Sequence, residues 1–234
     1  MIPEHYSRDI AARCQSLIRV LWPIVQGGLP EDDRFGGALT NTFLLALATP
    51  MIVLPIERIF KPSNPRAAQA GDDRQLDVRL ARDVENVLGP ESTFGAAPFA
   101  ATGGWSYVGG YPPFNIAKPW PEDLLRALGA PDAFYNADSA LARRVVCNLR
   151  NALAHGGVAY LDEDGRQTDS LAAMMAFAGA IKDRQGRLIG LNILRIGCED
   201  FYSFLMAWAD WLGQPRVRGA LNRVDPLAVA TIGV

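Results

Sequence analysis

The residues best suited to chemistry are Arg150, Asn151 and His155, which lie together just before Gly156 and Gly157. Histidine titrates near neutral pH, so an imidazole can take a proton from a ribose 2′-hydroxyl or return one to a leaving 5′-oxygen. An arginine can hold phosphate oxygens through two parallel N–H groups. These side-chain types are the ones that cleavage of a phosphodiester requires.

The three residues are predicted to lie at the C-terminal end of a helix spanning about 138–155. An apolar stripe recurs along it at Leu141, Val145, Leu149 and Leu153, and the two glycines end it. Asn151 and His155 are four residues apart, so they share a face roughly opposite the stripe. Arg150 lies about 100° to one side. The same spacing is also typical of ordinary helix ends, where arginine and histidine are favoured for structural reasons alone.

Composition favours one folded domain over residues 1–234 and gives no overall attraction to nucleic acid. The chain is 49% hydrophobic, enough for a sizeable core. Its formal net charge is −2, so RNA binding would need a local basic patch. Arg143 and Arg144, on the predicted motif helix, are the candidate substrate-binding residues, although a solvated helix face explains them equally well.

The cysteines predict neither a metal site nor disulfides. Cys14, Cys147 and Cys198 are scattered without metal-ligand spacing, and no signal peptide is evident, which indicates a reduced, cytoplasmic protein. The apolar stretch Thr42–Ile56 is shorter than the roughly 20 residues of a membrane span. It also contains Pro50 and Pro55, so we expect a kinked core helix and no membrane partner.

The remaining pattern predicts mostly helices. Helical periodicity occupies about 6–26 and 38–60, while 91–119 is a long loop rich in glycine, proline and aromatic residues. A β-hairpin is predicted at about 172–196, around the turn signal of residues 182–187, and a closing helix with aromatic spacing follows at about 198–213. The expected fold class is therefore mainly α, a helical bundle with a small β-hairpin inserted before the last long helix.

The motif helix resembles a known family. The run from Leu149 through His155 and Gly156 is similar to the R-(polar)-x3-5-H signature of HEPN domains, with Asn151 at the polar position. The motif helix, the hairpin and the closing aromatic helix together resemble one branch of bacterial HEPN nucleases. The segment Leu44–Arg58 is also similar to that branch, so the resemblance extends over most of the chain.

The resemblance implies a HEPN-like helical bundle that forms a homodimer. In that family the motifs of two protomers face each other and make one composite, metal-independent endoribonuclease site without a cofactor. Arg150, Asn151 and His155 would then be the catalytic residues, and RNA the substrate. Many members are toxins or phage-defence effectors, which adds an antitoxin or regulatory protein as a further partner. Other members are catalytically inactive and bind RNA, a nucleotide or a partner protein, and a purely structural dimeric scaffold is the third alternative.

Overall fold

The computed structural model describes residues 6–30, 32–60, 82, 84, 86–100 and 104–213. The α-helices in this part of the chain are α1 (Tyr6–Gln26), α2 (Thr40–Ala48), α3 (Glu122–Gly129), α4 (Pro131–Ser139), α5 (Ala142–His155) and α6 (Cys198–Leu212). The strands are β1 (Ser106–Tyr111), β2 (Val158–Leu161), β3 (Met174–Lys182) and β4 (Leu188–Gly197). A short 3-10 helix, Asp32–Phe35, precedes α2.

The prediction of a mainly α bundle is wrong, because the fold is mixed α/β with a four-stranded antiparallel sheet in the order β1-β4-β3-β2. The predicted hairpin is confirmed as β3 and β4, but it is only the centre of this sheet. A lone hairpin leaves unpaired N–H and C=O groups along both outer edges. Here β1 pairs with β4 and β2 pairs with β3, so each edge of the hairpin gains a partner.

The two faces of the sheet pack against different helices. Along β3, Met175 and Phe177 belong to the main core with α1, α2, α5 and α6. The alternate residues Ala176 and Ala178 belong to a second cluster with Trp120 and the buried leucines of α3. The motif helix α5 therefore lies on one face of the sheet and α3 on the other.

The predicted motif helix is interrupted near its start. Residues 131–139 form α4 and residues 142–155 form α5, so the predicted single helix of about 138–155 is too long. Ala140 and Leu141 between them are extended, with ψ of 148° and 129°. Leu141 forms an isolated β-bridge with Thr93. That pairing with a distant segment stops α4 and starts α5 about one turn later than the sequence predicts.

The predicted apolar helix is not α-helical throughout. After α2 it continues as two π-helical turns, Thr49–Val53 and Ile56–Phe60, around Pro50 and Pro55, which lack a backbone N–H. By length and composition, Thr40–Ile59 is the one described helix that could cross a membrane, with a mean hydropathy of 1.6. Its buried side chains belong to the main core.

One of these prolines explains a contact with the closing helix. In an α-helix the carbonyl of Met51 would accept a hydrogen bond from residue 55, but Pro55 has no N–H to donate. Trp208 on α6 donates its indole Nε1–H to that carbonyl at 2.8 Å. Phe99 from the predicted 91–119 loop packs on the same helix. Its ring centroid lies 4.9 Å from the ring centroids of Trp208 and Trp211.

Candidate functional site

The end of α5 is fixed by its two glycines, as the sequence predicts. Gly156 has φ of 71°, the left-handed conformation that glycine adopts without strain. Gly157 donates its N–H to the carbonyl of Ala152 at 2.8 Å, and its own carbonyl accepts from the N–H of Ala178 on β3 at 2.7 Å. His155 is therefore the last residue of α5, and the connection that follows it is hydrogen-bonded directly to the sheet.

The face of α5 that packs on the sheet contains a polar residue that sequence reasoning missed. Val145 and Leu149 of the predicted stripe are buried, but Asn148 is also only 4% exposed. Its side chain donates to the carbonyl of Phe177 at 3.3 Å. No spacing rule would have distinguished this buried amide from Asn151, the predicted site residue three positions later.

Arg150 is held inside the protein. Its side chain is 15% exposed, and Nη2 forms an ion pair with Glu57 in the second π-helical turn. Nη1 donates to Oδ1 of Asn151 at 2.6 Å, while Nε is buried and has no hydrogen-bond partner among the described residues. The sequence placed Arg150 and Asn151 together correctly, but it did not predict that a carboxylate from another helix binds the guanidinium.

His155 is placed differently from Arg150. It is exposed one turn beyond Asn151 on the same side of α5. Within the described part of the chain, its imidazole makes no hydrogen bond or ion pair. His5, the other histidine, lies outside the described residues. His155 is thus open to a ligand from solvent.

A cavity of about 380 Å³ runs beside the motif. Its lining consists of Leu141, Arg143, Arg144, Cys147, Asn148, Asn151, Ala180 and Asn192. Two arginines and no carboxylate lie among these residues, so the cavity is locally basic although the chain is weakly acidic. The structure therefore brings the predicted substrate-binding pair Arg143 and Arg144 next to Asn151, while Arg150 and His155 lie outside the lining.

Tyr107 on β1 extends this polar region. Its hydroxyl donates to Oδ1 of Asn192 at 2.7 Å. Burial raises the pKa of Tyr107, and the neighbouring guanidinium of Arg144 partly opposes that shift. The sequence around Tyr107 predicts a loop. The pairing of β1 with β4 brings this side chain beside the cavity instead.

Among the residues that the structure describes, no three His, Cys, Asp or Glu side chains converge as metal ligands. No family model, curated protein or solved structure matches the chain. The interpretation of the site therefore depends on its own residues and on the motif.

Proposed function

We propose that the chain is a metal-independent endoribonuclease of the HEPN type. The observation that supports this best is an exposed imidazole, His155, one helical turn from Asn151 and beside a cavity lined by Arg143 and Arg144 without a carboxylate. The proposal depends on this motif and its surroundings, not on a helical bundle. It includes the cytoplasm as the location and toxin or phage-defence activity as the biological role.

In the proposed reaction, one His155 takes the proton from a ribose 2′-hydroxyl as the 2′-oxygen bonds to phosphorus. The bond from phosphorus to the 5′-oxygen breaks, and a second, protonated imidazole gives its proton to that oxygen. The products are a 2′,3′-cyclic phosphate and a 5′-hydroxyl. Arg143 and Arg144 bind phosphate oxygens along the cavity, and Asn151 orients the reacting phosphate or the imidazole.

The geometry changes the role that the sequence suggested for Arg150. Two of its nitrogens already bind Glu57 and Asn151, so phosphate contact would require one of these partners to be displaced. We assign Arg150 a positioning role instead: the Glu57–Arg150 pair fixes the amide of Asn151. Stabilisation of charge on the phosphorane then comes from the cavity arginines.

The second imidazole is proposed to come from a second copy of the chain. The described residues contain one histidine, His155, and acid–base cleavage uses two proton carriers. A two-fold homodimer with α5 near its axis would bring two copies of His155 together. An antitoxin or regulatory protein that covered this surface would control the activity.

A catalytically inactive HEPN module is the second candidate, and the Glu57–Arg150 ion pair favours it. Glu57 neutralises the positive charge of Arg150. By the family resemblance, that charge would otherwise contact the substrate. Such a protein would bind RNA, a nucleotide or a partner protein through Arg143, Arg144 and Asn151 without cleaving anything. The two candidates differ in one observable, cleavage that depends on His155.

An RNA-cleavage assay in excess EDTA tests the proposal. The wild type should cut single-stranded RNA and leave 2′,3′-cyclic phosphate and 5′-hydroxyl ends, whereas His155→Ala should lose about 10²–10⁴-fold in rate. Arg184→Ala, which changes an exposed arginine of the β3–β4 turn, is the matched control and should keep the wild-type rate. Binding of RNA without cleavage by any variant would favour the inactive module, and cleavage that requires added Mg²⁺ or Mn²⁺ would rule out the proposed chemistry.

A further inference from the structure

A second basic cleft lies on the opposite face of the sheet from the motif helix. It has a volume of about 560 Å³, within the usual range of small-molecule sites. Its charged lining residues are Glu122, Arg126, Asp164, Arg166 and Arg195, and Gly129 and Gly165 also line it. The cleft is thus bounded by the corner between α3 and α4, the turn after β2, and Arg195 on β4.

Arg195 is the unusual residue of this cleft. It is only 9% exposed, yet it forms no ion pair or side-chain hydrogen bond with any residue that the structure describes. Its partners across the sheet are Ser106 on β1 and Ala176 on β3, so neither neighbouring strand supplies a negative charge. Its guanidinium lies over the ring of Phe134, with 6.0 Å between the guanidinium carbon and the ring centroid.

The guanidinium is seated tightly between two glycines. A Cβ atom on Gly129 would lie 3.7 Å from Nη1 of Arg195, and a Cβ atom on Gly165 would lie 2.8 Å from the same nitrogen. Gly165 has φ of 78°, so its backbone conformation also favours glycine. The absence of side chains at both positions leaves room for the charged group and for the cleft in front of it.

Two guanidiniums at the cleft, those of Arg195 and Arg126, form no ion pair with the residues that the structure describes. Arg166 is paired with Asp164, with Nη1 and Oδ2 2.8 Å apart. Glu122 lies on the lining but forms no ion pair with Arg195 or Arg126. Within the described part of the chain, Arg126 also forms no ion pair. A buried, unpaired charge is costly for a fold, and consistent with this, burial lowers the pKa of Arg195.

We infer that this cleft binds a phosphate group, either free phosphate or the phosphomonoester of a small molecule, with Arg195 as the buried anchor and Arg126 at the rim. Two unpaired guanidiniums match a dianionic phosphate, and each guanidinium can hold two oxygens. Bound phosphate would supply the negative charge that the described residues do not place beside Arg195. The site is separate from the motif cavity and does not depend on the proposed nuclease activity.

Isothermal titration calorimetry of the full chain with inorganic phosphate tests this inference, with chloride at equal ionic strength as the blank. Arg195→Met should weaken binding by at least about 10-fold, the usual effect of losing a hydrogen-bond partner from a charged group, and Arg126→Met should weaken it severalfold. Arg184→Met, which changes an exposed arginine of the β3–β4 turn outside both cavities, should leave the affinity unchanged. A ribonucleoside 5′-monophosphate titrated in parallel distinguishes the two sources, since tighter binding than inorganic phosphate identifies a phosphomonoester ligand.

The thermal midpoint gives a second readout. Phosphate should raise the midpoint of the wild type and of Arg184→Met more than that of Arg195→Met. No heat above the chloride blank would overturn the inference. So would binding that is kept in Arg195→Met and lost when Arg144→Met alters the motif cavity. If Arg195→Met does not fold, Arg126→Met decides alone, and an unchanged affinity in that variant counts against the site.

Discussion

The ion pair between Glu57 and Arg150 should contribute measurably to stability. The two side chains are 31% and 15% exposed, between a fully buried pair, whose disruption costs about 3–5 kcal/mol, and an exposed pair worth about 0–1 kcal/mol. We therefore expect Glu57→Gln to lower the free energy of unfolding by about 1–3 kcal/mol, because it leaves a mostly buried guanidinium with Asn151 as its remaining identified partner.

A double-mutant cycle in urea measures the pair itself. The cycle combines Glu57→Gln with Arg150→Met and reports the part of the free energy that the two residues share. Asp9→Asn is the matched control, since Asp9 pairs with Arg13 on an exposed helix face, where loss of an ion pair costs less than about 1 kcal/mol. A coupling energy no larger than the change in unfolding free energy caused by Asp9→Asn would refute the claim that Glu57 anchors Arg150.

The same variant separates two functions of Glu57. If Glu57 positions Arg150 and thereby Asn151, Glu57→Gln should slow RNA cleavage by about 10- to 100-fold, because misplaced catalytic groups lose rate. Initial rates of fluorescent RNA cleavage by folded protein give the answer. Faster cleavage by Glu57→Gln would mean that Glu57 withholds Arg150 from substrate, which contradicts the positioning role.

Three further results follow from the geometry. Gly179→Ala would drive a methyl group into the side chain of Asn148 and should cost about 1–3 kcal/mol in chemical unfolding, whereas Gly190→Ala, whose Cβ meets its nearest atoms at 3.4 Å, should cost much less. Burial raises the pKa of Cys198 to about 11. Its alkylation rate, followed by peptide mass spectrometry, should therefore be low at pH 8 and rise about tenfold per pH unit up to pH 11. A rate independent of pH would contradict this. Arg144→Ala should weaken single-stranded RNA binding and lower the slope of log affinity against log salt by about 0.7, the value for one lost phosphate contact; an unchanged slope would place Arg144 outside the RNA site.

Features set by local sequence were predictable. Periodicity and end signals gave α1, the glycine-terminated end of α5, the hairpin of β3 and β4, and the closing helix α6, because those patterns act within a few residues. Arg150, Asn151 and His155 were correctly placed on one helix end for the same reason. Whether they form a catalytic site stays a prediction.

Features set by distant pairing were not predictable. Gly109 and Gly110 in β1 favour a loop. The strand forms because β4 offers an edge to pair with, and the propensities of single residues do not include such a distant partner. The break between α4 and α5 comes from the bridge of Leu141 to Thr93. The partner of Arg150 is Glu57, far away in sequence on another helix, so no spacing rule could reveal it.

The turnover of a mixed dimer tests the central claim, cleavage of RNA by His155 at a site shared by two chains. Wild type and His155→Ala carry different affinity tags, are co-purified in sequence, and are assayed in EDTA on end-labelled RNA beside the two homodimers. The account predicts cleavage by the wild-type dimer and less than about a tenth of that rate from the mixed dimer, because one of the two proton carriers is missing. A mixed dimer that keeps half the wild-type rate, or a wild-type dimer that leaves RNA intact, would contradict it.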